Sequence, residues 1–256
     1  MPVLSDLEPR EVFAWFERLC AIPHGSHHAK AISDYLVAFA RERGLACRQD
    51  AANNVVIRKA ASAGYENAPV VMLQGHIDMV CEKDTDCGKD METEGLDLFV
   101  DGDVIGARGT TLGGDDGIAV AMALAVLDAD DIPHGPLECV FTADEEVGMI
   151  GARALDASDL KAKYLINIDS EEEGVLTVSC AGACRTLCTL PVTRVPFDGQ
   201  TLRVRISGLA GGHSGEEIHK GRANANLLLG RALDEMSRAG ALRLIRVSGG
   251  AKDNAI

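Results

Sequence analysis

Histidine and acidic residues follow apolar segments at four places along the chain, and the first of these is LQGHIDMV. In a strand, residues i and i+2 share a face. His76 and Asp78 are therefore both expected to point into the crevice beyond the strand's carboxyl end, where open α/β sheets bind ligands. A neutral imidazole there is a good zinc ligand, and a neighbouring carboxylate can orient it. The alternative is a polar strand end that carries a surface His-Asp pair.

The second place is TTLGGDDGIAVAMALAVL, where two glycines precede Asp115 and Asp116 at the start of a strongly apolar helix. Helix capping accounts for one of these acids, because a carboxylate at a helix N-terminus accepts backbone N–H bonds and complements the helix dipole. Two adjacent acids ahead of a helix that is apolar almost all round are harder to explain without a cation.

The third and fourth places are FTADEEVGMIGA and YLINIDSEEEG, where predicted strands run into Asp144, Glu145 and Glu146 and into Asp169. Each motif alone is typical of a solvated turn. Gathered in one crevice, however, carboxylates raise one another's pKa and resist joint ionisation, and bound divalent cations remove that penalty. The four motifs together predict a metal centre, and a ligand set of histidine and carboxylates favours Zn or Mn over a thiolate site.

The elements that must position these residues are those of an α/β sheet, because strand-like and helix-like hydropathy patterns alternate along the first part of the chain. The dipeptide Asp101-Gly102 additionally predicts a hairpin over Leu98 to Ala107. The predicted helices are Pro9 to Cys20, Ala29 to Arg43, Ile118 to Leu127 and a stretch around Glu145–Leu155, and the predicted strands are Val55–Arg58, Val70–Leu73, Leu137–Thr142 and Tyr164–Ile168.

The pattern changes after about Arg185. An alternating strand at 202–206, a helix at 223–238 and a second alternating strand at 242–247 indicate the opening of a second, smaller domain. The predicted domains are therefore 1–185 and 186–256. Within this sequence the second domain has too few elements to close a core of its own.

Composition excludes several classes of partner. The 256 residues include 25 Lys+Arg and 39 Asp+Glu, a net charge of −14, which argues against binding to nucleic acid or an anionic membrane. The start MPVLSDLEPREVF lacks the pattern of a leader peptide, and no apolar run reaches the ~18 residues of a membrane helix, so we expect a cytoplasmic protein.

Eight cysteines without Cys-x-x-Cys pairs indicate reduced thiols. Cys180, Cys184 and Cys188 suggest a helical metal face, but their β-branched surroundings favour strands.

Six motifs resemble the aminoacyl-histidine dipeptidases (Xaa-His or β-alanyl-histidine dipeptidases of the peptidase D type), which are co-catalytic di-zinc peptidases. They are HIDMV, ARGTTLGGDDGIAVAMALAVL, HGPLE, TADEEVGMIGA, INIDSEEEG and GGHSGEEIHKGRANAN. The resemblance runs along the whole sequence. It implies an α/β, phosphorylase/hydrolase-like sheet with helices on both faces. The N-terminal segment of the catalytic metallopeptidase domain would be 1–185, and 186–256 would begin an α+β lid or dimerisation domain.

The same resemblance assigns metal ligands. It implies that His76 and Asp169 bind one metal, that Asp115 bridges both metals, and that Glu146 binds the second. The implied cofactors are two divalent ions, Zn with Mn or Co as possible substitutes. The second metal then has just two protein ligands here, Asp115 and Glu146, which is fewer than the three usual at a catalytic zinc site.

The remaining implied roles concern catalysis. Asp78 would hold the His76 imidazole, and Glu145 would act as general base and then acid toward a hydroxide shared by the two metals. His213 in GGHSG matches a lid histidine that reaches the substrate carbonyl, in many relatives from the partner subunit. Without the resemblance, His213 is interpreted as a turn histidine between glycines. His219 and Asn254 lie in matching motifs and receive no role.

The family also implies a cis peptide bond between Asp115 and Asp116. Relatives often have Asn at the second position, and we expect that the change to Asp116 touches no ligand.

Members of this family continue well beyond 256 residues and supply a further histidine to the second metal. We therefore expect an N-terminal portion with weak or no peptidase activity by itself, which forms a homodimer through the lid when full length. The implied activity is hydrolysis of dipeptides of the Xaa-His type with broad specificity. Two alternatives remain open: an N-acyl amino-acid amidohydrolase of the same clan, and a non-catalytic metal-binding fragment or interaction subunit.

Overall fold

A computed structural model of the chain describes residues 2–170, 172–180, 182, 186–215, 217–250 and 255–256. Cys184, Arg185 and Asn254, which the sequence analysis named, lie outside the described residues. The chain forms two compact units, Met1–Val175 and Leu176–Ile256. Each unit is described by itself.

The first unit contains all the strands of the described chain and four of its α-helices. The strands are β1 (Ala46–Gln49), β2 (Val55–Lys59), β3 (Val71–His76), β4 (Leu98–Asp101), β5 (Val104–Ala107), β6 (Leu137–Thr142) and β7 (Tyr164–Asn167), and the helices are α1 (Arg10–Cys20), α2 (Lys30–Glu42), α3 (Gly114–Asp128) and α4 (Ile150–Ala154). β4 and β5 form the predicted hairpin, and Gly102 in its turn has φ 58°.

Five strands form one mixed sheet in the order β1-β2-β6-β3-β7. The β1-β2 and β2-β6 pairs are antiparallel, whereas β3 runs parallel to both β6 and β7. His76 is opposite Thr142, and Gln74 is opposite Asn167. The carboxyl ends of β3, β6 and β7 therefore lie along one edge of the sheet.

Apolar side chains cover the two faces of this sheet unequally. The larger core lies on one face, where α1, α2 and α3 pack with residues such as Leu36, Val120 and Phe141. A smaller cluster, in which Val140 is central, lies on the other face beneath Leu155 and the residues that follow α4. All six positions of β6 are buried. Four of its six residues are apolar, which suits a central strand covered on both faces.

Most of the elements predicted for the first unit are confirmed to within a few residues, but two details differ. Strand β1 was not predicted. The stretch predicted as helical around Glu145–Leu155 is helical only over Ile150–Ala154, and the residues before it form a loop. Asp144, Gly148 and Met149 have φ of 56°, 109° and 57°, which are left-handed values that break a right-handed helix.

The second unit has one long helix, α5 (Ala225–Ala239), and a short 3₁₀ helix at Ile218–Lys220. Asn224 caps α5 by accepting a hydrogen bond of 3.0 Å from the Leu227 N–H. The predicted helix is thus confirmed. The two strands predicted at 202–206 and 242–247 are wrong, because these residues form no ladder.

The strand interpretation around the three cysteines is likewise wrong for the described residues of that segment. An alternating pattern makes a strand only when a neighbouring strand satisfies its backbone groups. Leu202 and Ile245 instead remain 72% and 64% exposed. In the described part of the chain every cysteine is a free thiol, and no helix is both long and apolar enough to cross a membrane.

Candidate metal centre

His76 is the last residue of β3, and its side chain is buried. Its Nδ1 atom lies 2.9 Å from the main-chain oxygen of Asp78, and its Nε2 atom lies 2.9 Å from Asp115 Oδ1. When Nδ1 donates its proton to that carbonyl, the Nε2 lone pair faces Asp115 and the crevice. An imidazole nitrogen aimed at a carboxylate oxygen requires a proton or a cation between them.

Asp115 and Asp116 stand in the first turn of α3, where the backbone is not helical, and the predicted cis peptide bond between them is present. The expectation that Asp116 touches no ligand is wrong. Its Oδ2 atom accepts a 3.0 Å hydrogen bond from the His76 N–H. Gly75 permits this approach, because a Cβ atom at that position would lie 2.7 Å from Asp116 Oδ2.

Residues 143–151, called the acid loop below, run from the end of β6 into the first residues of α4 and carry the two adjacent glutamates. The Glu145 N–H donates to Asp78 Oδ1 over 2.9 Å, and the Glu146 N–H donates to Asp78 Oδ2 over 3.4 Å. The Glu145 Oε2 atom lies 4.0 Å from His76 Nε2. Asp78 therefore connects the end of β3 to the acid loop.

Five of these side chains form two groups of three metal-binding donors. One group contains His76, Asp116 and Asp169, and the other contains His76, Asp115 and Glu146; within each group the donor atoms lie within 4.8 Å of one another. All four residues predicted as ligands are thus near one another. The structure adds Asp116, and it makes His76 the residue common to both groups, whereas the resemblance implied that Asp115 is shared.

Four acids at this site have a raised pKa and so hold their protons more tightly than usual. Burial raises the pKa of Asp116 to about 8. Burial, followed by the charges of neighbouring carboxylates, also raises the pKa of Glu145, Glu146 and Asp169. Such a cluster is unfavourable when fully ionised, and a divalent cation relieves the repulsion. The donor types, one imidazole with carboxylates, therefore fit a zinc or manganese ion.

The pKa of His76 is also raised, so the ring carries a positive charge beside these acids. Burial acts to lower its pKa, but the contact with the Asp78 carboxylate and the charges of Asp116 and Asp78 outweigh burial and raise the pKa to about 10. A proton on His76 and a cation between His76 and the carboxylates are thus alternative ways to balance the same negative charge.

The role of Asp78 is broader than the sequence indicated. Its Oδ1 atom lies 3.5 Å from His76 Nδ1, farther than the main-chain oxygen that the ring faces. Its shortest side-chain bond, 2.8 Å, comes from Ser26 Oγ. Burial would raise the pKa of Asp78, but hydrogen bonds from His76, the Glu145 N–H and Ser26 together lower it. Asp78 thus remains an anion that ties three segments together. Ser26 was not predicted, and no local signal points to it.

His213 lies in the second unit, within a turn. Its N–H donates to Glu217 Oε2 over 3.1 Å, and its Nδ1 atom accepts from the Gly215 N–H over 3.2 Å. Its role toward a substrate stays a prediction.

Comparison with known proteins agrees with this fold. The sequence profile of Peptidase family M20/M25/M40 matches residues 72–241, which is more than half of the chain. The chain therefore belongs to this family of peptidases. Its α/β sheet and the resemblance to dipeptidases noted from the motifs are both confirmed.

Three relatives illustrate the likeness. The cytosol non-specific dipeptidase of Escherichia coli (strain K12) is 44% identical over 258 residues, which cover 100% of this chain and 53% of that protein. The aminoacylhistidine dipeptidase from Vibrio alginolyticus is 38% identical, with a TM-score of 0.71, over 99% of this chain and 52% of that one. A tripeptidase from Staphylococcus aureus shares the fold at 19% identity and a TM-score of 0.56, over 97% of this chain and 63% of that one. The chain thus spans about half the length of the dipeptidases it matches.

Proposed function

We propose that this chain supplies the metal-binding and acid–base residues of a dipeptidase that hydrolyses Xaa-His dipeptides with broad specificity. The observation that carries the proposal is the position of the His76 imidazole. Its Nε2 atom lies 2.9 Å from Asp115 Oδ1, and its ring offers a donor atom within 4.8 Å of carboxylates that follow β6 and β7 and begin α3. The names of the Escherichia coli and Vibrio alginolyticus relatives support the substrate class.

In this proposal His76, Asp115, Glu146 and Asp169 hold two divalent cations, zinc or alternatively manganese or cobalt, and Asp116 is an additional donor. Bound divalent cations lower the pKa of water and polarise the scissile carbonyl. Asp78 orients the His76 ring, since its main-chain oxygen accepts the Nδ1 proton and fixes which nitrogen faces the cation.

Glu145 is the general base. Its carboxylate belongs to neither donor group, yet its Oε2 atom lies 4.0 Å from His76 Nε2, so it borders the place where a water molecule attacks. The raised pKa of Glu145 suits a group that takes a proton from water and returns it to the leaving amine. Water thus adds to the peptide carbonyl, the C–N bond breaks, and the amine leaves with the proton that Glu145 carried.

Further parts of the proposal depend on the family. His213 contacts the substrate carbonyl, the protein works in the cytoplasm, and two copies associate through the second domain. Domain limits of 1–185 and 186–256 belong to the same proposal.

The test is a metal titration combined with an activity assay on the 256-residue chain. The metal-free chain is loaded with Zn²⁺ or Mn²⁺ and incubated with Ala-His or β-Ala-His. Hydrolysis that depends on added metal, and that His76→Ala abolishes, supports the proposal. His28→Ala is the matched control, because the His28 side chain is half exposed beside Glu92. Two tightly held ions per chain with turnover, even weak turnover, favour the dipeptidase, whereas one weakly held ion and no turnover would favour a non-catalytic metal-binding subunit.

A substrate panel separates the second enzymatic candidate. An N-acyl amino-acid amidohydrolase of the same clan prefers acetyl- or succinyl-amino acids over Xaa-His dipeptides. The dipeptides are expected to react faster, and the reverse order would replace the proposed substrate class.

A further inference from the structure

The acid loop contains two non-glycine residues whose backbone conformation is unfavourable for a residue with a side chain. Asp144 and Met149 both have left-handed φ values, which non-glycine residues rarely adopt. Near the tip, the Glu145 carbonyl accepts 2.9 Å hydrogen bonds from the N–H groups of Gly148 and Met149. These bonds lie within the tip. They do not fix the loop to the sheet. Asp78 holds the loop at Glu145 and Glu146, and the base of the loop is held by a separate contact.

Asn54 provides that contact. It directly precedes β2, and its side chain is buried, with 1% of the residue's surface exposed. Its Oδ1 atom accepts a 3.0 Å bond from the Ala143 N–H, and its Nδ2 atom donates a 2.9 Å bond to the Gly151 carbonyl. Ala143 and Gly151 are the first and last residues of the acid loop. One amide group therefore bonds to both ends of the loop.

Two further contacts complete this arrangement. The Gly151 N–H donates to the Ala143 carbonyl over 2.9 Å, and Asn54 Nδ2 also donates to Asp50 Oδ2 over 2.7 Å. Gly151 fits because a Cβ atom there would lie 2.4 Å from Asn54 Oδ1 and 2.3 Å from the Ala143 oxygen. The base of the loop thus leaves no room for a side chain at residue 151.

The chemistry of this position requires an amide. Asn offers one acceptor and a two-proton donor on the same planar group, and all three of these functions are used here. An aspartate has the same shape but accepts only. It would leave the Gly151 carbonyl without its donor and would place a second carboxylate beside Asp50.

We propose that Asn54 is a positioning residue: its amide closes the base of the acid loop and thereby sets where Glu145 and Glu146 stand relative to His76. The inference rests on the proposed function, in which these two glutamates are the general base and a metal ligand. Asn54 acts through the loop and does not itself meet the substrate.

The first experiment measures hydrogen–deuterium exchange in the metal-free chain. Asn54→Asp is compared with Asn53→Asp, which makes the same change one residue earlier at a left-handed position that aspartate tolerates. Amides of 144–151 are expected to exchange faster in Asn54→Asp and at the wild-type rate in Asn53→Asp. Equal exchange in the two variants overturns the proposal.

The second experiment measures Co²⁺ binding. Asn54→Asp is expected to weaken Co²⁺ affinity by about 10- to 100-fold and to change the visible spectrum of the bound ion, while Asn53→Asp leaves both unchanged. Gly151→Ala disturbs the same base from the other side and is expected to alter the spectrum likewise. If Asn54→Asp and Gly151→Ala both fold and keep the wild-type Co²⁺ affinity and spectrum, the proposal is contradicted. Global unfolding of both, seen by circular dichroism, also contradicts it, since Asn54 would then support the whole fold and not the loop.

A failure of the proposed function would give a different result from a failure of the Asn54 proposal. If the wild-type chain binds no Co²⁺, the assignment of the metal centre fails, while exchange in the metal-free chain still tests Asn54.

Discussion

At the scale of single residues, the adjacent carboxylates Glu145 and Glu146 have different surroundings. Glu146 belongs to a donor group with His76 and Asp115, whereas Glu145 belongs to neither group in the described part of the chain. Both main-chain N–H groups are held by the one Asp78 carboxylate. The one Asp78 carboxylate thus anchors both residues, and in the proposed function Glu146 would bind a cation while Glu145 would face the attacking water.

Substitution of each glutamate is expected to separate these roles. Glu145→Gln should reduce kcat by about 10²- to 10⁴-fold with metal retained, because proton transfer is lost while the donor groups stay intact. Glu146→Gln should instead weaken metal binding. Metal content by atomic absorption, measured beside kcat, checks both. Metal loss in Glu145→Gln with metal retained in Glu146→Gln would exchange the two assignments.

Metal binding is expected to strengthen as pH rises. The pKa of His76 is about 10 without metal, so at neutral pH its crevice-facing nitrogen carries a proton that a cation has to displace. Each unit of pH below that value should cost roughly tenfold in apparent affinity for this one proton, and Asp116, with a pKa of about 8, adds to the slope at lower pH. Co²⁺ titrations at pH 6, 7 and 8 measure the slope. An affinity independent of pH would contradict the assignment of His76.

Residue types at strand ends and at the start of α3 predicted that His76 and the acidic motifs would be neighbours, because parallel strands bring their carboxyl ends to one edge. The choice of Asp115, Glu146 and Asp169 among these acids came from the family resemblance. Ser26 and Asn54 could not be predicted in this way. Ser26 bonds to Asp78 across 52 residues, and Asn54 bonds to Ala143 across 89. Such contacts depend on how separate segments pack, and no local pattern encodes them.

At the scale of elements, a buried acid fastens β6 to the segment that leads into β7. Glu138 on β6 accepts hydrogen bonds from the N–H groups of Lys161 and Ala162, at 2.8 and 2.9 Å, and from Arg58 Nε at 3.0 Å. Burial would raise the pKa of Glu138, but the Lys161 N–H, Arg58 and the Ala162 N–H outweigh burial and lower it. The charged form is therefore the one that the fold stabilises.

Stability is expected to depend on this carboxylate in a defined pH range. Because the folded pKa lies below the ordinary 4.5, the contribution is complete above about pH 4.5 and is lost as pH falls through the lowered value. Glu138→Gln should reduce the free energy of unfolding by about 1–3 kcal/mol at pH 7 and by less at pH 3. Urea unfolding at both pH values tests this. If the difference in unfolding free energy between wild type and Glu138→Gln were the same at pH 3 as at pH 7, the charge of Glu138 would not be its cause.

The elements themselves were predictable where a local pattern and a partner agree. β6 has four apolar residues among its six and is buried at every position. The alternation at 202–206 and 242–247 has no such partner in the described chain, and the predicted strands do not form. The loop before α4 was mistaken for helix because hydropathy does not report the left-handed backbone of Asp144 and Met149.

At the scale of the whole molecule, the two units differ in how their backbones are held. The first contains both buried clusters and the sheet. In the second, residues 186–210 belong to no helix or strand, and Leu187 and Leu190 are among its exposed apolar side chains. A backbone segment without the hydrogen bonds of a helix or strand binds readily in the active site of a protease.

Limited digestion with trypsin is therefore expected to cut first after Arg194, Arg203 or Arg205, before any site within the sheet such as Arg58. Mass spectrometry of the earliest fragments identifies the cleaved bonds. A first cut before residue 175 would show that the first unit is the less stable one.

The ring of His76 also limits how tightly a second metal ion binds after the first. Its Nδ1 atom is engaged with the Asp78 carbonyl, so the residue has one nitrogen to give, yet both donor groups require it. Once a first cation takes that nitrogen, the second group retains only its two carboxylates. Calorimetric titration is therefore expected to resolve two unequal stages of occupancy. When metal is scarce, the singly loaded chain should be the prevailing species, and in the proposed function the supply of the second ion would set the active fraction.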